Sequence, residues 1–266
     1  MKFEKLRLDW THDERVARIT LAAPKANIVD LAMTRELDTA FAQCAGRSLN
    51  AIVLSADGPH FSFGASVQEH LPDQIAEALP ALHALLRRIH EAPAPVIAAV
   101  RGQCLGGGFE VVLACDLVIA DKTAQFGSPE IKLAVFAPAA SALLPVRIGQ
   151  AAASKLLLTG ASITAEEAAR CGLAARVVDD LDAGLNQWLE SDFLPRSPSS
   201  LNYACQAARL SLARAFGEDL ARIEHLYLSG LMSTPDAEEG IRAFLEKRSP
   251  QWAPHQRGKH EKLVQA

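Results

Sequence analysis

Residues 95–116 constrain the fold more than any other stretch of this chain. They read PVIAAV and then RGQCLGGGFEVVLACD. A short, β-branched apolar run opened by proline has the form of a buried strand. Three consecutive glycines, Gly106 to Gly108, then enter an apolar series interrupted by Glu110. The order strand, glycine turn, buried helix predicts an α/β core. Glycine lets the backbone pass close to a neighbour or a ligand with no Cβ between them. The first amides of the helix lack internal partners and carry partial positive charge, which suits an anion or a developing oxyanion. Glu110 is expected in the first turn, and helical side chains lean towards the N-terminus, so its carboxyl should reach the same mouth. Tight packing is the other use of such a run. It has neither the Lys-Ser/Thr of a P-loop nor the spacing G-x-G-x-x-G. A carboxylate entering an apolar helix still costs free energy without a purpose or a partner.

Upstream, residues 5–10 and 16–21 read as two strands joined by a polar turn at 11–15, a hairpin signal. Residues 23–27 break the pattern before a helix over 31–45, and 51–55 is a third strand. The loop 56–60 and residues 61–66 follow, then a helix over 80–91. Downstream come a strand at 117–120 and a short one at 124–126. Ser128-Pro129-Glu130 opens a second acid-bearing turn. Beyond Ala137 the chain reads as mostly helical, with clear pieces at 151–158 and 164–170. Thr164 with Glu167 fits a capping box, and Gly172 fits the stop of the same helix. A last short strand at Val177-Val178 precedes helical patterns at 201–216, 219–232 and 236–248. The linker RSPSS at 196–200 divides a core of residues 1–195 from a helical C-terminal region of residues 196–266. Strands alternating with helices predict a mainly parallel sheet, with antiparallel pairing from the first hairpin.

Composition enters chiefly as an exclusion. A hydrophobic fraction of 49% with 22% charged residues is ordinary for a globular protein. The net charge of -4 gives no basic footprint for nucleic acid. No apolar run approaches a membrane span. The five cysteines are scattered without a C-x-x-C pair, and no signal peptide is read at the start, so a cytoplasmic protein with free thiols is expected. Cys104, beside the glycines, reads as a small packing residue. The eight histidines show no ligand spacing, so no metal is expected. No G-x-G-x-x-G follows the first strand, which argues against a nicotinamide dehydrogenase.

Glu110 and Glu130 lie twenty positions apart, each after a turn and with a strand between. If consecutive units stack, both face one cleft. Two acids in a dry pocket do not both ionise easily, so they divide into a proton donor and a proton acceptor. Addition of water across a C=C bond needs such a pair: one carboxylate activates the water, and the other acid protonates carbon. The plainer alternative is that each glutamate caps a helix or pairs with an arginine such as Arg101. A second oxyanion donor is available at Phe63-Gly64-Ala65, where the Ala65 amide could meet that of Gly107. The same three residues also fit a plain β-turn.

PHFSFGAS, RGQCLGGGFEVVLACD and FGSPEIKLAVF, in this order, resemble the signature regions of the enoyl-CoA hydratase/isomerase (crotonase) superfamily. The resemblance runs from the first hairpin to the final AFLEKR. It implies an α/β spiral of stacked strand-strand-helix units. The helical C-terminal part would trimerise, often giving a dimer of trimers, and lid the CoA site. It also implies an acyl-CoA substrate, with coenzyme A as part of the substrate and no separate cofactor. Carried over, the oxyanion amides match Ala65 and Gly107, and the two hydratase acids match Glu110 and Glu130. The CoA-contacting positions match Lys25, Ala26, Phe63, Ala65, Leu105, Phe244 and Lys247. The presence of both acids favours a hydratase, with Glu130 as proton donor and Glu110 on the water. Two departures stand out: Ser66 replaces a common aspartate, and residues 134–145 read AVFAPAASALLP where hydratases are glycine-rich. Phe136 and Pro138 should therefore reshape the acyl pocket. With PKANIVD and GPHFSFGASVQEH, this segment resembles the cyclohexa-1,5-diene-1-carbonyl-CoA hydratases of anaerobic benzoyl-CoA degradation. A general short-chain 2-enoyl-CoA hydratase and a non-catalytic CoA- or RNA-binding relative are the alternatives.

Overall fold

Strands β1 (Leu6–Thr11) and β2 (Val16–Leu21) pair antiparallel, with Leu6 opposite Leu21 and Thr11 opposite Val16. This hairpin, in a computed structural model that describes residues 3–23 and 25–253, forms one edge of a six-stranded sheet. Pro24, within the break read at 23–27, and the last residues of the C-terminal region lie outside the described residues. The strands β3 (Ala51–Ala56), β4 (Val96–Val100), β6 (Leu117–Asp121) and β9 (Arg176–Val178) join β2 in parallel, in the order β1-β2-β3-β4-β6-β9. Parallel strands have both faces covered, which is why β3 and β4 read as unbroken apolar runs.

The period of two divides those runs between two cores. Ile52, Leu54, Val96 and Ala98 face a large cluster with α1 (Leu31–Cys44), α2 (Pro72–His90) and α3 (Gly106–Ala114). Ala51, Val53, Ile97 and Ala99 face the opposite way, onto Leu181, Leu185, Trp188 and Phe193. The helix α7 (Leu181–Trp188) that covers this second face buries Leu181, Leu185 and Trp188, but at eight residues it is absent from the sequence reading.

A second, three-stranded sheet sits beside the first. It consists of β5 (Gln103–Leu105), β7 (Gln125–Gly127) and β8 (Ser162–Thr164), in that order. Its strands β5 and β7 are parallel, with Cys104 opposite Phe126. The main-sheet strands β4 and β6 thus each pass into a short strand of the second sheet, β5 and β7, before the helix or turn that follows. The strand at 95–100 was expected to run straight into the glycine turn; β5 intervenes and sets the direction from which α3 starts.

Two further boundaries differ from expectation. Helix α2 begins at Pro72 rather than residue 80, because its buried stripe from Ile75 to Ile89 continues through Pro80. An interior proline costs a helical hydrogen bond, and packing on both sides of it outweighs that loss here. The helical pattern at 201–216 is divided into α8 (Pro198–Arg209), a tight turn and a wide π turn (Ala215–Asp219). Between those positions lie α4 (Pro138–Ile148), α5 (Gln150–Thr159) and α6 (Ala165–Arg170). The capping box of Thr164 and Glu167 is present on α6, and the Leu173 amide closes its other end onto Ala168. The chain then runs through α9 (Leu220–His225), a second π turn (Leu226–Gly230) and α10 (Pro235–Leu245). Among the described residues no helix is long and apolar enough to cross a membrane.

Candidate active site

The glycine run packs directly against the other residues expected of the site. A Cβ built on Gly106 would stand 2.7 Å from Glu130 Oε1, and Gly106 has a φ of +49° that L side chains rarely adopt. One on Gly107 would stand 3.2 Å from the Ala65 nitrogen and 3.0 Å from the Ala65 Cβ. One on Gly108 would meet the Ser62 side chain at 2.4 Å. The run thus brings the second glutamate and the second amide donor against the start of α3. Because α3 begins at Gly106, Glu110 is its fifth residue and lies in the second turn, not the first.

The Phe63-Gly64-Ala65 loop is more than a turn. Gly64 C=O accepts the Val29 amide at 2.9 Å, and Val29 and Ala65 form a parallel bridge. The Phe63 amide donates to Ala26 C=O at 3.0 Å, and the Leu105 amide donates to Ser62 C=O at 3.0 Å. Ser62 hydroxyl donates to Asn27 C=O at 2.7 Å. These bonds draw three chain segments, around Ala26, Ala65 and Leu105, into one rim. The Ala65 and Gly107 amides are neighbours there, and Gly107 is among the first helical residues whose N–H has no internal acceptor.

Glu110 is 3% exposed and its carboxylate Oε1 accepts the Ala140 amide at the start of α4 at 3.0 Å. The capping alternative is therefore correct for this residue, which also lines the cavity between α3 and α4. Burial pushes its pKa upward, while the amides of Ala140 and Ala139 oppose the shift. Glu130 leads out of β7 on the tight turn Pro129–Leu133. Its Oε2 is buried with no hydrogen-bonding protein group. Burial pushes this carboxyl up as well, and the charge of Glu110 pushes it further. Glu110 is thus the better stabilised carboxylate of the pair and Glu130 the better held acid. Arg101 takes no part: it pairs with Asp182 at 2.9 Å.

An inner chamber of about 30 Å³ is lined by Ala65, Gly107, Glu110 and Glu130, with Phe136 and Tyr227 among its other walls. It adjoins an outer cleft of about 340 Å³ bordered by Phe63, Ala65, Gly106, Glu130, Ile241 and Phe244. Pro138, expected to shape the acyl pocket, lines the chamber too. His70 lies on both cavities, and its Nδ1 is 2.8 Å from Ser66 C=O, so that nitrogen carries the proton. Burial lowers the pKa of His70 and keeps the ring neutral. Of the expected CoA contacts, Phe63, Ala65 and Phe244 border the outer cleft. Ala26 and Leu105 stand behind its rim, whereas Lys25 and Lys247 are exposed and border neither cavity. Both lysines have positive φ, 73° and 55°. The thiol of Cys104 is fully buried and pushed well up by burial, as a packing residue would be.

Sequence reasoning did not single out His70 or Tyr227. His70 follows the Gly-Ala loop closely enough for the spacing to have flagged it. Tyr227 has no such signal, because only the fold of the C-terminal helices carries it back to α3.

The chain matches the enoyl-CoA hydratase/isomerase family over residues 11–255. It is 48% identical to a cyclohexa-1,5-dienecarbonyl-CoA hydratase of Thauera aromatica over 248 residues, 93% of this chain and 96% of that protein. It is 35% identical to a 2,3-dehydroadipyl-CoA hydratase of Escherichia coli (strain K12), covering 90% of this chain and 96% of that one. Among solved structures, an enoyl-CoA hydratase from Mycobacterium avium subsp. paratuberculosis K-10 superposes with a TM-score of 0.84 at 24% identity. That alignment covers 95% of this chain and 100% of the other, and it concerns the fold alone.

Proposed function

This chain belongs to the enoyl-CoA hydratase/isomerase family and is a crotonase-fold hydro-lyase of unsaturated acyl-CoA thioesters; from that premise we propose that it hydrates cyclohexa-1,5-diene-1-carbonyl-CoA. The product is 6-hydroxycyclohex-1-ene-1-carbonyl-CoA, an intermediate of anaerobic benzoyl-CoA degradation. The observation that carries the cyclic substrate is the 48% identity to the Thauera aromatica hydratase across nearly the whole of both chains. Phe136, Pro138 and the ring of Tyr227, rigid walls of the water-sized chamber beyond the cleft, support it by stopping a bound ring at the two glutamates.

The chemistry follows from the positions of the two double bonds. Water oxygen adds at the ring carbon β to the thioester. The electron pair moves into a dienolate whose charge is spread to the thioester oxygen and to the far end of the diene. Ala65 and Gly107 amides receive the oxygen, in the manner of an oxyanion hole. A proton enters at the far carbon, and one double bond remains conjugated to the thioester. Glu110, whose charge is supported by the α4 amides, takes the proton from water; Glu130 supplies the proton to carbon. Phe63, the Lys25–Ala26 loop and Leu105 hold the CoA arm, and Phe244 and Lys247 reach its adenine end. Coenzyme A is part of the substrate and no separate cofactor enters. We place the boundary of the core at residue 195, with residues 196–266 closing the acyl chamber and forming a homotrimer or dimer of trimers in the cytoplasm.

A second reading, a general short-chain 2-enoyl-CoA hydratase, is favoured by the 34% identity to a probable enoyl-CoA hydratase of Mycobacterium bovis. Turnover of cyclohexa-1,5-diene-1-carbonyl-CoA and crotonyl-CoA side by side in D2O separates the two. The cyclic diene should react faster, and NMR should find deuterium across the ring from the new hydroxyl. Faster reaction of crotonyl-CoA would assign the chain to the linear substrates. Turnover of neither would remove the hydratase reading.

A further inference from the structure

Tyr227 is 1% exposed, and its hydroxyl has no hydrogen-bonding protein group within reach. It comes from the π turn Leu226–Gly230, more than a hundred residues along the chain from Glu110, yet it lines the same inner chamber as both glutamates. Its ring stands edge-on to Phe136, with centroids 5.2 Å apart, which fixes the direction of the phenol. A phenylalanine would fill this space and make the same edge contact without burying an unpaired hydroxyl. Buried hydroxyls are ordinarily paired, so one left over at a reaction chamber points to a ligand. A second unpaired polar atom, Glu130 Oε2, borders the same space. The chamber of about 30 Å³ has room for about one or two water molecules and not for a free acyl chain.

We propose that the Tyr227 hydroxyl is the third polar contact, with Glu110 and Glu130, of the oxygen that enters as water and leaves as the product hydroxyl. This inference rests on the hydratase reading. Tyr227 forms no bond to carbon and gains or loses no proton in the reaction; it restricts the water to the face and distance from which it attacks. The burial of the phenol and the charges of Glu110 and Glu130 raise its pKa, so it remains a neutral donor throughout. A phenol donor also recognises a hydroxyl on the ring, so it should distinguish the hydrated product from the same thioester without that group.

The test is Tyr227→Phe in the full chain, with wild-type turnover as control. We expect kcat for hydration and for the reverse dehydration to fall about tenfold or more, with KM changed less than about twofold. The affinity ratio of 6-hydroxycyclohex-1-ene-1-carbonyl-CoA over cyclohex-1-ene-1-carbonyl-CoA should fall by a similar factor. Thermal stability should be unchanged or raised, since no protein hydrogen bond is lost. Wild-type kcat together with an unchanged affinity ratio in an active background would overturn the role of Tyr227 alone. A loss of kcat accompanied by lower Tm and weaker binding of both thioesters would make Tyr227 a packing residue. Wild-type protein inert towards both cyclic and linear enoyl thioesters would remove the hydratase reading, and this inference with it.

Discussion

Glu110 Oε1 accepts the Ala140 N–H at 3.0 Å, so a carboxylate of α3 caps α4 across the reaction chamber. Glu130 has no equivalent donor at its Oε2. The charged form of one carboxyl is thereby supported by a donor and that of the other is not.

The two glutamine variants should separate those roles. Glu110→Gln and Glu130→Gln are each expected to lower hydration by about a hundredfold or more. Exchange of the γ-proton of cyclohex-1-ene-1-carbonyl-CoA in D2O, followed by NMR, needs the carbon acid–base but no attacking water. It should be lost in Glu130→Gln and largely kept in Glu110→Gln. Equal loss in both would end the division of labour.

The pair also sets a pH dependence of stability. Both carboxyls titrate above the ordinary glutamate value of 4.5, chiefly through burial. In that range the folded chain holds protons that the unfolded chain has released, so the stabilisation is complete at acid pH and declines as pH rises towards neutrality and just above. Urea unfolding should show stability falling steadily from about pH 5 to about pH 8. The double variant Glu110→Gln/Glu130→Gln should flatten that slope. A slope unchanged in the double variant would assign it to other groups.

Gly107→Ala tests the pair of amides. The new methyl would stand 3.0 Å from the Ala65 Cβ and 3.2 Å from its nitrogen, forcing the two donors apart. A fall in kcat/KM of about a hundredfold is expected, with circular dichroism of the wild type. Near-normal turnover would mean that the thioester oxygen rests elsewhere.

Arg209→Ala addresses the frame behind the site. The Arg209 guanidinium donates to both oxygens of Asp116, at 2.8 and 2.7 Å, and to the carbonyls of Ala92 and Ala94. It ties α8 to the strand ends that precede β4 and β6. Removing it strands a carboxylate and two carbonyls and should cost about 3 kcal/mol, a fall in Tm of several degrees. A Tm within one degree of wild type would show that the network is replaceable.

What the residues determine alone is local. The β-branched run at 95–100, the three glycines and the Thr164–Glu167 box depend on neighbours within one turn or one strand, so their period and spacing suffice. The resemblance carried by PHFSFGAS and the glycine run extends that to the pairing of Ala65 with Gly107 and of Glu110 with Glu130. Tertiary structure decided the rest. Helix α2 crosses Pro80 because its apolar stripe is buried on both sides of the proline, a gain invisible to local propensity. Glu110 became a cap because α4 begins opposite it, a contact across thirty residues. Tyr227 reached the chamber because the C-terminal helices pack back onto α4 and α2, and no sequence period encodes which distant side chain will meet a buried acid. Local geometry is written in the order of residues; desolvation, and the company a charge keeps once buried, exist only after the chain has closed around it.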